Sequence, residues 1–560
     1  GYRPGWMVAA TAPLFATRRR LGFNPWVLAA VVIAAILLGP ILAVFGAAAG
    51  DSGGLWRHLF ETVLPRYVAN TLILMVGVGA VCLVFGVSAA WTVVRYDFVG
   101  RQWFQWMLLL PAAVPAYLIA YTYTDFLEYA GPVQKMLREQ FGWQSAREYW
   151  FPEIRSMGGA MLVMGAVLYP YVYVMARTAF LLTPASLYEV GMLANRSLFW
   201  KIGLPLARPA IAAGLALALM ETISDFGTVE YFAIETLTLG IFNVWLGMNS
   251  LTAAAQIAAF AFLFVIALLT LELVARARRR FTDTTRRAVP LRAKRAEGLK
   301  AVRCWMICGA PILIGFVGPV AVLGSFVLKG YSLAFDYAWA NAAANSVLLA
   351  GVVALLVMAA AAFLGLVGMF QGGVVLRRTT AVASVGYAFP GTILAIGVVT
   401  AGGVIDDGIG LLVNGLFGIS YQGWLTSGVT LIVLACIIRF QAVGYGAVAS
   451  GLERLPPNMM NANLLLGHGL GYGMRRVILP LIRLSFVAGG LLVFVDVMKE
   501  LPMTLLLRPF NFETLPTYVY QFAKDELLEE AALPALIIVT AGILPVIMMN
   551  AVLNRFARRD

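Results

Sequence analysis

Four carboxylates lie in two pairs inside long apolar stretches of the chain. Glu221 and Asp225 are four residues apart in one stretch. Asp496 and Glu500 repeat that spacing in another. Two side chains at this spacing share one face of a helix. An ionised group in an apolar span is costly unless it faces a partner or a water-filled path, so each is a candidate site residue. Together they could line a path for a cation, because hard cations favour oxygen ligands.

Lys499 keeps a structural explanation open. It adjoins Glu500 and follows Asp496 by three residues, so it could neutralise either carboxylate. The candidate translocation path therefore comprises Glu221, Asp225, Asp496, Lys499 and Glu500, as contacts of a cargo or as charge pairs that hold the spans. We assign no catalytic residue and no metal ligand. Six tyrosines are either further oxygen donors or anchors at the membrane interface: Tyr117, Tyr121, Tyr123, Tyr169, Tyr171 and Tyr173.

The composition of the chain is that of a membrane protein. Of its 560 residues, 61% are hydrophobic and only 12% are charged. Continuous apolar runs of about 20 residues, enough to cross a bilayer core as helix, recur throughout. They exclude a closed β-barrel and predict an all-α polytopic membrane protein. We predict about twelve transmembrane helices, at 26–49, 68–94, 104–127, 158–182, 208–231, 253–275, 304–327, 345–369, 380–403, 425–448, 482–506 and 533–553.

The basic residues of the chain lie between the spans and at its two ends. The formal net charge of +13 arises mainly from clusters before the first span, after the last span and in the polar stretch 276–303. This is the positive-inside pattern, which predicts that both termini are cytoplasmic and that membrane lipid, not nucleic acid, surrounds the protein. The predicted parts are an N-terminal segment 1–25, a first half 26–275, a basic linker 276–303, a second half 304–553 and a tail 554–560.

The two halves repeat each other. A shift of 275 residues superposes several pairs, namely Asn70 on Asn345, Pro115 on Pro390, Leu204-Pro205 on Leu479-Pro480, Glu221 on Asp496, Asp225 on Glu500 and Gly227 on Pro502. A shift of 278 residues then aligns Glu235-Thr236-Leu237 with Glu513-Thr514-Leu515. With six spans each, the halves are parallel repeats about an axis along the membrane normal. We expect a pore between them, helix caps at Asn70 and Asn345, and helix breaks at Gly227 and Pro502.

Two polar loops precede the fifth and the eleventh span. The first contains Pro184, Leu187, Glu189, Asn195, Leu204 and Pro205, and the second contains Pro456, Asn461, Gly467, Leu479 and Pro480. Asn195 and Gly467 stand where a residue in the left-handed conformation would end a short helix. The following Leu-Pro suits the start of a span, where the missing N–H of proline costs little. Each loop therefore predicts a short protruding helix on which another protein can push.

At these loops the sequence resembles the permeases of ABC importers. Their signature cytoplasmic loop reads Glu-Ala-Ala, then a Gly, then a hydrophobic residue before Leu-Pro. The resemblance implies a type I importer fold, two ABC ATPase subunits that receive the two short helices, and a periplasmic substrate-binding protein. The first loop is three residues shorter before Leu204, and the second has Asn461 in place of Glu. The two ATPase contacts are therefore expected to be unequal.

The segments that follow the loops, 220–229 and 496–515, look like the ferric-iron branch of these permeases, which fuses both halves in one chain. The resemblance implies ATP-driven ferric-iron import across the bacterial inner membrane by alternating access, with a ferric-iron-binding protein as partner. The sequence contains no GxxxxGK[ST], so we expect no cofactor on this chain and assign ATP and Mg to the partner ATPases. Thiamine or a polyamine remains an alternative cargo. An ion-coupled secondary transporter that uses the four carboxylates is the alternative from another class.

Overall fold

The computed structural model describes residues 25–280, 292–330, 337–370, 386, 389–421, 423–452, 459, 465–467 and 470–557. The first half forms helices α1 (Pro25–Ala48), α2 (Leu55–Thr62), α3 (Leu64–Arg95), α4 (Arg101–Met107), α5 (Ala116–Leu127), α6 (Pro132–Phe141), α7 (Met157–Leu182), α8 (Ala185–Leu193), α9 (Leu204–Ser224), α10 (Gly227–Tyr231), α11 (Leu237–Phe242) and α12 (Leu251–Arg280). The second half forms α13 (Leu299–Ile312), α14 (Gly318–Leu328), α15 (Tyr337–Phe370), α16 (Gly391–Phe417), α17 (Thr430–Leu452), α18 (Leu470–Gly473), α19 (Leu479–Met498), α20 (Pro502–Leu507), α21 (Leu515–Lys524) and α22 (Ala532–Ala557). Strands β1 (Tyr96–Asp97) and β2 (Lys294–Arg295) pair in parallel.

The predicted all-α polytopic fold is confirmed. Ten helices of the described chain are long and apolar enough to cross a membrane, and there are twelve spans if each of two bent helix pairs counts as one. Helices dominate because a chain in lipid must satisfy its backbone hydrogen bonds within each span. The two short strands join the end of the basic stretch to the loop between α3 and α4.

The third span of the first half is broken, which the sequence analysis did not predict for 104–127. The chain bends by 89° between Arg101–Ala113 and Ala116–Phe141. Pro115 stands at the bend with φ −61° and ψ 140°, and Pro390 precedes α16 with φ −52° and ψ 140°. Proline lacks an N–H and disfavours helical conformation in the residue before it. The repeated proline therefore sets the start of α5 and of α16 at equivalent places.

The fifth and eleventh spans are shorter than the predicted 208–231 and 482–506. Helix α9 ends at Ser224 and α19 ends at Met498, and each is followed by a break and a short helix. The breaks lie close to Gly227 and Pro502 as expected, but these two residues begin the next helices, α10 and α20. Glycine is needed in α10 because a Cβ at position 227 would lie 2.7 Å from the Cβ of Tyr117.

The halves interlock through their first spans. Helix α1 packs against α16 of the second half, and α14 packs against α5 of the first. The first contact is close, because a Cβ on Gly397 would lie 2.0 Å from the carbonyl oxygen of Pro40. In the second, the hydroxyl of Tyr123 donates to the carbonyl oxygen of Ile314, just before α14. One hydrophobic core therefore runs through both halves.

Asn70 and Asn345 do not cap helices, contrary to expectation. They lie inside α3 and α15, because both helices begin earlier than the predicted spans 68–94 and 345–369. The side-chain amide of Asn70 donates to the carbonyl oxygen of Glu235 over 3.0 Å, and that of Asn345 donates to Glu513 over 2.9 Å. Each asparagine thus binds the backbone just before a short helix, α11 or α21.

The neighbouring hydroxyls complete the same contact in both halves. The Thr71 hydroxyl accepts from the N–H of Leu237 over 3.0 Å, and the Ser346 hydroxyl accepts from the N–H of Leu515 over 2.7 Å. The two motifs that the internal repeat aligned separately are therefore bonded to each other in each half. These contacts attach α11 and α21 to the second spans.

Replacing either asparagine should destabilise the protein measurably. We expect Asn70→Ala and Asn345→Ala each to lower the free energy of unfolding by about 1 kcal/mol, because a half-buried carbonyl loses its donor. The two effects should add, since the sites share no partner. Unfolding by SDS in mixed micelles measures this, with exposed Asn414→Ala on α16 as the matched control. Equal stabilities of all three variants would contradict the assignment.

Candidate translocation cavity and coupling helices

The five candidate path residues line one cavity of about 160 Å³ between the two halves. The carboxyl ends of α9 and α19 supply the four carboxylates and Lys499. The start of α5 and the middle of α7 close one side, where Tyr117 and Tyr171 contribute oxygen atoms. Arg439 of α17 also lines the cavity. The internal repeat therefore brings together the two acidic pairs that are 275 residues apart in sequence.

Asp225 and Glu500 each bind the start of the next short helix. The carboxylate of Asp225 accepts from the N–H groups of Thr228 and Val229, over 3.0 and 3.2 Å, and from the Thr228 hydroxyl over 3.1 Å. Glu500 accepts from the N–H of Met503 over 3.0 Å. The first N–H groups of a helix have no partner within the helix, so a carboxylate there stabilises it. Both residues therefore have a structural role in addition to lining the cavity.

Two cations neutralise the carboxylates of the second half. Lys499 Nζ lies 3.6 Å from Asp496 Oδ1. Arg439 Nε lies 3.8 Å from Glu500 Oε2, and these two side chains are only 7% and 5% exposed. The sequence analysis considered Lys499 but missed Arg439, because it lies on a different span about 60 residues before Glu500. An arginine inside the apolar run 425–448 was the available signal, since such residues are rare without a partner.

The first half lacks both cations. Positions 164 and 224, which the 275-residue shift aligns with Arg439 and Lys499, hold Met164 and Ser224. Both residues line the cavity. Within the described part of the chain, the Ser224 hydroxyl is buried without a hydrogen-bond partner, and no cation or donor lies within bonding distance of Glu221. The cavity thus has two unlike walls.

We call them the first-half wall, formed by Glu221, Ser224 and Asp225, and the second-half wall, formed by Arg439, Asp496, Lys499 and Glu500. The second-half wall has balanced charges, and the first-half wall carries two carboxylates without a cation. The carboxylates are spread along the cavity. Among the residues that the structure describes, no three His, Cys, Asp or Glu side chains are close enough to hold a metal ion.

The first polar loop forms helix α8, which begins after Pro184 and ends before Asn195. Asn195 has φ +48°, the left-handed conformation that the sequence suggested. One face of α8 is packed: Tyr188 is 2% exposed and contacts the ring of Trp91. Burial raises the pKa of the Tyr188 phenol, so it stays neutral. The helix is therefore held firmly against the body of the protein.

A glycine on the same packed face brings α8 close to the fifth span. A Cβ on Gly191 would lie 2.1 Å from Cδ1 of Ile202, in the turn that leads to α9. The opposite face exposes Glu189, Val190 and Leu193, and the last two are 63% and 89% exposed. Leu187 at the edge is 45% exposed. An apolar surface with one carboxylate is thus available for a partner.

The second polar loop is described in part. Pro456 and Asn461 lie outside the described residues. Gly467 has φ +81°, the counterpart of Asn195. The turns before Leu204-Pro205 and Leu479-Pro480 are both π-turns, Phe199–Gly203 and Met474–Ile478. Both loops therefore enter their span in the same way, since a wider turn accommodates a proline that cannot donate a hydrogen bond.

The fold and the cavity define a class: a polytopic helical permease with two similar halves around a charged passage. The chain is 23% identical to the Fe(3+)-transport system permease protein FbpB 2 of Haemophilus influenzae, over 88% of this chain and 91% of that protein. It is 29% identical to the sulfate transport system permease protein CysW of Escherichia coli, over 48% of this chain and 93% of that protein. It is 27% identical to the sulfate transport system permease protein CysT of Synechococcus elongatus, over 36% and 72%. No family model matches the chain.

These relatives confirm the predicted resemblance to ABC permeases with both halves fused in one chain. The full-length relative spans both halves, whereas the sulfate permeases match about half of the chain or less. The predicted function class, a membrane-spanning transport permease, is confirmed with it.

Proposed function

We propose that this chain is the permease subunit of an ATP-driven ABC importer for ferric iron. It resides in a bacterial inner membrane with both termini in the cytoplasm and works by alternating access. The observation that carries the proposal is the carboxylate-lined cavity between the halves, in a chain similar over 88% of its length to a ferric permease. Carboxylate oxygens suit hard cations, and ferric iron is one.

The mechanism begins at the coupling helices. Two ATPase subunits, which bind ATP and Mg, receive α8 and the second polar loop, and a ferric-iron-binding protein docks on the outer face. Closure of the ATPases moves both loops together. The tight packing of Gly191 transfers this movement to the fifth span, and α9 is 21 residues long. At about 1.5 Å per residue, such a helix carries the displacement roughly 30 Å to Ser224 and Asp225.

The charge of the cavity favours a cation over the oxyanions of the sulfate permeases. Its lining has four carboxylates and two cationic side chains, which leaves a net charge of −2. An oxyanion would face two carboxylates on the first-half wall without a free cation to receive it. The half-length relatives therefore support the architecture of the chain rather than its cargo.

Reconstitution tests the function directly. The chain is placed in liposomes with its ATPase subunits, and ⁵⁵Fe(III) is supplied on the binding protein. We expect uptake that requires ATP and the binding protein. Uptake driven by an ion gradient without the ATPases would establish a secondary transporter instead. Accumulation of labelled thiamine or spermidine in place of iron would assign a different cargo.

A further inference from the structure

We infer that a cationic cargo travels along the first-half wall of the cavity, because Arg439 and Lys499 already neutralise the carboxylates of the second-half wall. The inference rests on the proposed function and specifies which residues meet the cargo. Arg439 and Lys499 are specificity-determining residues here, since they confine the available negative charge to one side. The four carboxylates are consequently not equivalent, although the internal repeat aligns them.

The pairs of the second-half wall are not readily displaced. Arg439 and Glu500 lie 3.8 Å apart and are almost completely buried. Separating a buried pair leaves two charges without water, which is strongly unfavourable. Lys499 and Asp496 are 21% and 29% exposed, yet their charges lie 3.6 Å apart. A cargo that bound this wall would first have to remove a cation that is covalently part of the chain.

The first-half wall has unused bonding capacity. Glu221 has no ion pair among the described residues, and Ser224 presents a buried hydroxyl that has no partner there. Buried polar atoms are normally paired, so an unpaired one lining a cavity points to a ligand. An ionised carboxylate has about four acceptor sites, and the three donors that bind Asp225 leave capacity for a further contact.

The imbalance also suits passage rather than storage. A transport path must bind its cargo strongly enough to admit it and weakly enough to release it. Four unpaired carboxylates would hold a trivalent cation tightly. Neutralising two of them leaves a net charge of −2, on a wall whose members are one helical turn apart. A cation can then move from Glu221 to Asp225, or the reverse, without meeting all four at once.

The internal repeat supplies matched variants. Glu221→Gln removes one carboxylate of the first-half wall. Asp496→Asn combined with Lys499→Ser removes a whole charge pair of the second-half wall and keeps the net charge. Met164→Arg places a guanidinium where the repeat aligns Arg439, opposite Asp225. Ser224→Lys introduces the same charge at the position equivalent to Lys499, in case Met164→Arg does not fold.

The probe is Tb³⁺, a hard trivalent cation whose luminescence is sensitised by nearby tyrosines, and Tyr117 and Tyr171 line the cavity. It is titrated against the full-length chain in nanodiscs. We expect Glu221→Gln to weaken the sensitised binding at least tenfold, and the double variant to change it less than threefold. Met164→Arg or Ser224→Lys should abolish it. Thermal midpoints exclude misfolded variants.

Two results would overturn the inference: equal weakening by Glu221→Gln and by the double variant, or unchanged binding in folded Met164→Arg and Ser224→Lys. Uptake of ⁵⁵Fe by the same variants separates this inference from the proposed function. If wild-type protein shows no ATP-dependent iron uptake but the walls differ in Tb³⁺ binding, the function fails and the wall assignment stands. If iron uptake is present and the walls are equivalent, the reverse holds.

Discussion

Val190→Asp is expected to reduce ATP-driven uptake at least tenfold while leaving the permease folded. Val190 lies on the outward face of α8, is 63% exposed and contacts solvent rather than the core. A carboxylate there costs little in the isolated chain. In the proposed complex it would be buried against an ATPase subunit, where an unpaired charge is strongly unfavourable. The loss should appear as fewer ATPase subunits co-purifying with the permease.

The matched control is Val99→Asp. Val99 is 79% exposed on another loop of the same proposed cytoplasmic side, between α3 and α4. The residue type, the substitution and the exposure are thus comparable, and only the location differs. We expect Val99→Asp to retain ATPase subunits and uptake. If both variants lose the subunits equally, α8 is not the specific contact. If neither does, the coupling role of α8 is wrong.

Arg439→Met is expected to destabilise the folded protein by about 3–5 kcal/mol, because it leaves the buried Glu500 carboxylate without its cation. Methionine is the residue at the equivalent position of the first half. Adding Glu500→Gln removes the uncompensated charge and keeps an acceptor for the N–H of Met503. The double variant should therefore recover most of the loss. The free energy of unfolding in SDS mixed micelles gives the four corners of this cycle.

An exposed pair provides the comparison. Arg57 and Glu61 lie 3.1 Å apart with side chains 86% and 62% exposed. Arg57→Met should change the free energy of unfolding by no more than about 1 kcal/mol, because such pairs are solvated and screened. If Arg439→Met had an effect as small as Arg57→Met, the buried pair would not hold the second-half wall. A double variant no more stable than Arg439→Met would point to packing rather than charge.

The features that the sequence predicted correctly follow from local patterns. Apolar length identified the spans, and two long-range registers aligned motifs that prove to be bonded in both halves. The conformations of Asn195 and Gly467 followed from residue type and position. Each of these signals is contained within a few neighbouring residues or within a comparison of two such stretches.

The features that were missed depend on contacts between distant spans. Arg439 belongs to the site only because α17 packs beside α19. Asn70 was taken for a cap because nothing local reveals that its amide reaches the backbone of Glu235, 165 residues away. The capping role of Asp225 depended on the chain breaking just after Ser224, where the apolar pattern continues without interruption. Helix breaks inside an apolar run are set by tertiary packing, and hydropathy cannot locate them.

Covalent linkage of the two interlocked halves fixes a stoichiometry of one first half to one second half. Two identical half-length chains assembled about a true twofold axis would carry an Arg439-like cation at both equivalent positions or at neither. A symmetric homodimer could therefore neutralise all four carboxylates or none. A single gene that encodes both halves allows each to accumulate different substitutions while the exchanged spans, α1 and α14, keep them mutually dependent. The unequal charges of the passage are thus a property that only a heteromeric or fused permease can possess.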